Sequence, residues 1–179
     1  MSTGADNTTA HRLSLLQAEF VEHPRTGPGD GRTQRPAHSP APLNLAVVDR
    51  IRAAVREVEE HTRAEAPGAG PFTGEASRVY DWARSRTAHL GAERQQAREA
   101  IIYRQGLEHA IATGDTTVVR RHPCPECGCW GLYWREATQR AVCVNHYCVD
   151  DDGLSHTWTL AYLAQQHIAS KTAVRHSAT

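Results

Sequence analysis

Five cysteines fall between residues 124 and 148, and four of them are spaced as metal ligands. The stretch 122–148 reads HPCPECGCWGLYWREATQRAVCVNHYC. Cys124 and Cys127 form a Cys-x-x-Cys turn, in which both thiolates face one ion while nearby backbone N–H groups point at the sulfurs. Gly128, directly after it, relieves the tight backbone there. Cys143 and Cys148 make a second, slightly wider pair, fifteen residues further on. This paired spacing predicts a tetrahedral Zn2+ site with Cys124, Cys127, Cys143 and Cys148 as its ligands. Four thiolates close the shell, whereas a catalytic zinc keeps a position for water, so a structural zinc and a non-catalytic protein are expected. The His-x-Glu arrangement of zinc deaminases is absent.

Cys129 is the cysteine left over. Lying two residues after Cys127, it is expected to point away from the metal along the emerging strand as a small buried or half-buried thiol. His122 and His146 are close enough in sequence to replace a ligand. With four thiolates already present, each is read as a surface group or a neighbour of the ligands.

The elements that must position these cysteines are a hairpin and a set of helices. Trp130–Trp134 and Arg140–Val144 have strand composition around a polar turn at 135–139, which gives a zinc-ribbon hairpin. Beyond it, Asp150, Asp151, Asp152 and Gly153 form a solvated turn. A final helix capped by Ser155 or Thr157 would carry Trp158, Leu160, Ala161, Leu163 and Ile168 on its apolar face, with Trp158 packed on the hairpin. Residues 169–179 read as a fraying tail.

Upstream, residues 43–114 read as a small helical bundle. Leu45, Val48, Ile51, Val55 and Val58 recur at spacings of three and four, which predicts an amphipathic helix of about five to six turns. Asn44 can cap it. A break at 66–74 (APGAGPFTG) follows, then two helices over 75–113 that meet near Leu90-Gly91 and end at Gly114. Residues 1–42 are read as largely disordered. They hold a short helix near 11–20 (Leu13, Leu16 and Phe20 on one face) and a linker at 22–42 with five Pro and three Gly. The expected fold class is α+β, mostly α: a disordered N-terminal linker, a helical bundle, a four-cysteine ribbon over 115–168 with its C-terminal helix, and the tail.

Twenty basic residues balance twenty acidic ones, so no global field draws the chain to nucleic acid or anionic membrane. Only two Phe and one Met are present, a thin supply for a core in 179 residues. No signal-peptide pattern or membrane-length apolar run is visible, and the cysteines are confined to one metal-like cluster. A cytoplasmic protein with no membrane contact is therefore expected. Arg supplies every cation but Lys171.

The stretch from about Asp115 to Ile168, with CPECG, CVNHYC and DDDG followed by TWTLAYLA, resembles a small zinc-ribbon protein family of Streptomyces-type actinobacteria and their phages. The PAPLNLAVVD opening of the first bundle helix is similar as well. The resemblance implies a phage or prophage setting and carries no established activity.

Two functions remain open at this level, with nucleic acid as the partner of one and protein as the partner of the other. The first is a DNA- or transcription-associated regulatory protein. Between residues 78 and 104 of the 75–113 helices, Arg78, Arg84, Arg86, Arg94, Arg98 and Arg104 outnumber Asp81, Glu93 and Glu99 by three, and Arg120 and Arg121 precede the first knuckle. The candidate phosphate-binding residues are Arg78, Arg84, Arg86, Arg94, Arg98, Arg120 and Arg121. Against it, helical Arg beside Glu and Asp is ordinarily a solvated face, and Trp130, Tyr133 and Trp134 serve a hairpin core as readily as base stacking. The second is a protein-interaction adaptor, in keeping with a neutral chain and a metal-stapled hairpin. Oligomeric state is not legible in the sequence.

Overall fold

The computed structural model describes residues 45–177. The short helix read at 11–20, the 22–42 linker and the Asn44 cap lie outside them. Four α-helices follow in order, α1 Leu45–Glu65, α2 Val79–Arg86, α3 Ala92–Ala112 and α4 Leu160–Ser177, with the strands β1 Leu132–Arg135, β2 Arg140–Cys143 and β3 Thr157–Trp158 between α3 and α4. The protein is mostly helical with one small sheet.

α1 forms because its apolar residues repeat at helical spacing, and that stripe is the face it buries. Val58 is fully buried and Val55 half-buried, packed with Val79, Tyr80 and Ala83 of α2 and Ile102 of α3. Full burial of a Val or Ile side chain here contributes about 1.5–3 kcal/mol by leaving water, and the half-buried Val55 and the Ala83 methyl less. The 66–74 segment closes over this cluster: Phe72 lies against Trp82 with ring centroids 5.4 Å apart, and its N–H donates to Glu59 Oε1 at 3.2 Å. The α2–α3 turn is pinned by Gln95, whose amide donates to the carbonyls of Ala88 and Leu90.

α3 ends where the sequence places its stop. Gly114 adopts φ +93°, a left-handed conformation that costs glycine nothing. Its N–H donates to Ile111 O at 2.9 Å, and that of Asp115 to Ala110 O at 2.8 Å, the paired bonds of a Schellman motif. A 3-10 turn over Thr116–Arg121 then delivers Val118 and Val119 into a second core with Leu107 and Ala110 of α3, Leu132 of β1 and Leu160 and Leu163 of α4.

The hairpin register pairs Leu132 with Cys143 and Arg135 with Arg140, and Gln139 closes the turn in the left-handed region at φ 52°. The sheet has a third strand where the sequence reading put a helix start. Thr157 and Trp158 pair antiparallel with Val142 and Ala141, and the helix begins at Leu160. Its cap is Thr159, whose Oγ1 accepts from the Tyr162 N–H at 3.1 Å, in place of the expected Ser155 or Thr157. Trp158 does pack on the hairpin. The helix also runs on to Ser177 instead of ending at Ile168. α4 packs along α3, and beyond Ile168 its side chains are mostly exposed as far as Val174.

Candidate metal centre

Each cysteine pair is held by its own backbone bonds. In the first knuckle the Gly128 N–H donates to Cys124 O and the Cys124 N–H to Cys129 O, both at 2.8 Å, with Gly128 at φ +70°. In the second, the Cys148 N–H donates to Asn145 O at 2.9 Å, while Asn145 Oδ1 accepts from the Tyr147 N–H at 3.1 Å. The segment leading into β3 stitches this knuckle to the sheet: the Cys143 N–H donates to His156 O and the His156 N–H to Cys148 O. The short third strand, which has no local sequence signal, thus helps fix the separation of the last two ligands.

These elements bring Cys124, Cys127, Cys143 and Cys148 together, with all four sulfurs within 4.8 Å of one another. No disulfide joins them. Cys124 and Cys148 Sγ are 3.8 Å apart and Cys127 and Cys143 Sγ 3.7 Å. A tetrahedral ion with metal–sulfur bonds of about 2.3 Å needs sulfur–sulfur edges of about 3.8 Å. The cluster therefore has the donors and the dimensions to hold a metal ion.

The electrostatics suit a cation as well. The Cys129 backbone N–H, and then its thiol, bond the Cys127 sulfur and lower its pKa to about 6. Burial pushes Cys143 up, against the pull of the Asn145 backbone N–H, and pushes Cys148 up to about 12. The Cys143 and Cys148 sulfurs, crowded below the surface, resist carrying charge. A divalent ion reverses that preference and displaces their protons.

Cys129 departs from its expected orientation. It is half-buried as anticipated, but its Sγ is 3.2 Å from that of Cys127 and 3.6 Å from that of Cys143. The knuckle backbone explains this: the Cys124 N–H donates to Cys129 O, which holds the residue against the first knuckle before β1 begins at Leu132. His122 is almost fully buried, and its Nε2 lies 3.0 Å from the Tyr103 hydroxyl and its Nδ1 3.3 Å from Val119 O. Tyr103 in turn stacks on His167 of α4 at 4.3 Å. This His–Tyr–His cluster clamps the first knuckle to both long helices, and sequence reasoning missed it because its members are 19 and 45 residues from His122. His146 is exposed against Tyr147.

The seven arginines separate into two groups. Arg84 makes a two-pronged pair with Glu99 at 3.0 and 2.8 Å, Arg94 pairs with Glu65 at 3.3 Å, and Arg98 is buried, bonded to the Thr87 hydroxyl and to Glu99. Glu99 feels burial first, which raises its pKa, but the Arg84 and Arg98 guanidiniums outweigh it and hold the carboxyl below the ordinary value. Arg78, Arg86, Arg120 and Arg121 are exposed with no carboxylate partner among the described residues. Of the hairpin aromatics, Trp134 packs on the core while Trp130 stands 71% exposed.

No described helix is long and apolar enough to cross a membrane. Neither protein-family models, nor curated proteins, nor solved structures give a match to this chain.

Proposed function

We propose that this chain is a zinc-stabilised, non-catalytic regulatory protein that acts by docking on another protein. Zinc is the ion that fits best: four thiolates without imidazole or carboxylate suit a soft, tetrahedral, redox-silent metal. All four positions of the tetrahedron are filled from the chain, which leaves no place for water or substrate and makes the ion a staple. The observation that carries the docking role is the set of large apolar side chains left in solvent around the knuckles, led by Trp130 and Tyr147. The phage-associated resemblance makes a phage or host protein the natural partner.

A DNA-associated role is the second reading, supported by Arg78, Arg86, Arg120 and Arg121. It is weakened by the ion pairs that occupy Arg84, Arg94 and Arg98. Fluorescence anisotropy of the zinc-loaded protein with duplex and single-stranded DNA at low and physiological salt separates the two. The docking reading expects no binding tighter than the weak nonspecific range of about 10⁻⁴–10⁻⁶ M. Tight, steeply salt-dependent binding lost on neutralising Arg78, Arg86, Arg120 and Arg121 would establish the DNA role instead. Elemental analysis of the purified protein tests the ion, with one zinc per chain expected and iron refuting the assignment.

A further inference from the structure

Seven large apolar side chains stand exposed among the described residues, and five come from one part of the ribbon. They are Trp130 at 71%, Val144 at 57%, Tyr147 at 83%, Val149 at 41% and Leu154 at 65%. Folding alone gives no reason to leave a Trp and a Tyr this open, and clustering sets them apart from scattered surface residues.

The backbone gathers them at one end. β1 and β2 pair outward from the knuckles to the turn at 136–139, so residues 130–131 and those from 144 onward lie at the metal end. The Val144 N–H donates to Gly131 O at 3.0 Å, and Trp130 is bridged to Pro123. Val149 bridges Ser155, and the Asp150 N–H donates to Leu154 O at 2.8 Å, so the 149–155 loop projects from the same end.

The knuckle segments themselves carry one sign of charge, with the exposed Arg120 and Arg121 immediately upstream of the first of them. Segments 122–134 and 141–159 contain Glu126, Asp150, Asp151 and Asp152, and no Lys or Arg. All four carboxylates are exposed, with no cationic partner among the described residues. Asp150 Oδ1 is occupied in holding its turn, accepting from the N–H groups of Asp152 and Leu154. Glu126, Asp151 and Asp152 have no such task.

We propose that the knuckle end is a docking surface for a basic, apolar segment of a partner protein. The aromatic and aliphatic side chains supply the contact area, and the carboxylates select cationic side chains over acidic ones. A phosphate backbone finds no guanidinium or ammonium within the segments that carry the exposed rings, only Arg120 and Arg121 beside them, so these segments favour a cationic peptide over a nucleic acid. A two-fold contact between copies of the chain would set this acidic rim against itself. In a head-to-tail contact Arg84, Arg94 and Arg104 are already paired with Glu99, Glu65, Glu57 and Glu108. That leaves Arg78, Arg86, Arg120 and Arg121 as the cations it would have to use, and such a contact would show as a dimer. The proposal rests on the docking function above and names the chemistry of its partner.

The test is display selection of random sixteen-residue peptides on the full-length, zinc-loaded protein, with the W130A/Y147A variant as counter-selection bait. An enriched peptide is then measured by anisotropy. The expected winners combine net positive charge with apolar residues, and W130A/Y147A weakens their binding by about tenfold or more. E126Q/D151N/D152N, which spares Asp150, weakens it by roughly fivefold at low salt and by little at about 1 M, where the Debye length is about 3 Å. Zinc content and circular dichroism must match wild type for both variants. Acidic or neutral winners would overturn the partner chemistry and leave docking intact. No enrichment, with a wild-type dimer that W130A/Y147A dissociates, would assign the surface to a second copy. No enrichment from a monomer that binds DNA tightly would overturn docking itself.

Discussion

Removal of one ligand by Cys143→Ser, or of the ion by a strong chelator, should unfold the ribbon and spare the first two helices. Cys143 is buried at the end of β2, paired with Leu132 and bonded through its N–H to His156 O. Structural zinc contributes an apparent 10–16 kcal/mol or so in small zinc-folded peptides, against a total stability of about 5–15 kcal/mol for an ordinary domain. Losing the ion therefore removes as much as the ribbon's core can offset. Three of the four ligands belong to the core built from Leu107, Val118, Val119, Leu132, Leu160 and Leu163. The other cluster, Val58, Val79, Tyr80, Ala83 and Ile102, includes no ligand. The assay is near-UV circular dichroism, which reports Trp134 and Trp158, alongside far-UV helical signal and colorimetric zinc release. Loss of the Trp134 and Trp158 part of the near-UV signal, with the Trp82 part and most of the α1–α2 helicity retained, and a single weaker thermal transition from the remaining cluster, is the expected result. Cys129→Ser should keep its zinc. An apo protein with wild-type near-UV signal and melting would refute the reasoning, as would Cys129→Ser releasing zinc as readily as Cys143→Ser.

Leu163→Ala, at a side chain only 1% exposed between α4 and the ribbon core, should cost about 2–5 kcal/mol by urea denaturation, with zinc stoichiometry unchanged. Gly131→Ala should destabilise the hairpin by about 1–3 kcal/mol, because the added methyl meets the Val144 side chain, and Val144→Ala should recover much of that loss in the double variant. His167 is held neutral by burial and by the charges of Lys171 and His122, which lower its pKa to about 4. The unfolded chain binds that proton at about 6.5 and the folded one does not, so stability falls as pH drops from about 6.5 towards 4. His167→Phe should flatten this limb in urea melts across that range, and an unchanged slope would exclude His167 as its source.

What could be read from the sequence was whatever rests on local spacing. The two cysteine pairs, the α1 stripe, the hairpin and the Gly114 stop each carry their signal within a few residues, and each lies close to where it was placed. What escaped depends on partners distant along the chain. Thr157 and Trp158 become a strand only because Val142 and Ala141 lie beside them. Arg84, Arg94 and Arg104 look like a basic face until Glu99, Glu65 and Glu57 are brought across from other turns and helices. Cys129 was misjudged because the Cys124–Cys129 backbone bond keeps it in the knuckle, whereas its spacing from Cys127 suggests a residue already running out along a strand. The turns of α4 beyond Ile168 leave their side chains mostly exposed as far as Val174, so no apolar stripe announced them in the sequence.

α3 belongs to both cores: Ile102 serves one, Leu107 and Ala110 the other, and Gly106 lies between them. Each residue of an α-helix turns its successors by about 100°. A single insertion or deletion between 102 and 107 would swing one apolar face a quarter-turn or more out of register with the other, although every contact within each core could remain intact. The 66–74 loop imposes no such phase relation. Length variation among descendants of this chain should therefore collect in that loop, while the stretch of α3 from Ile102 to Leu107 keeps its residue count even where its identities drift.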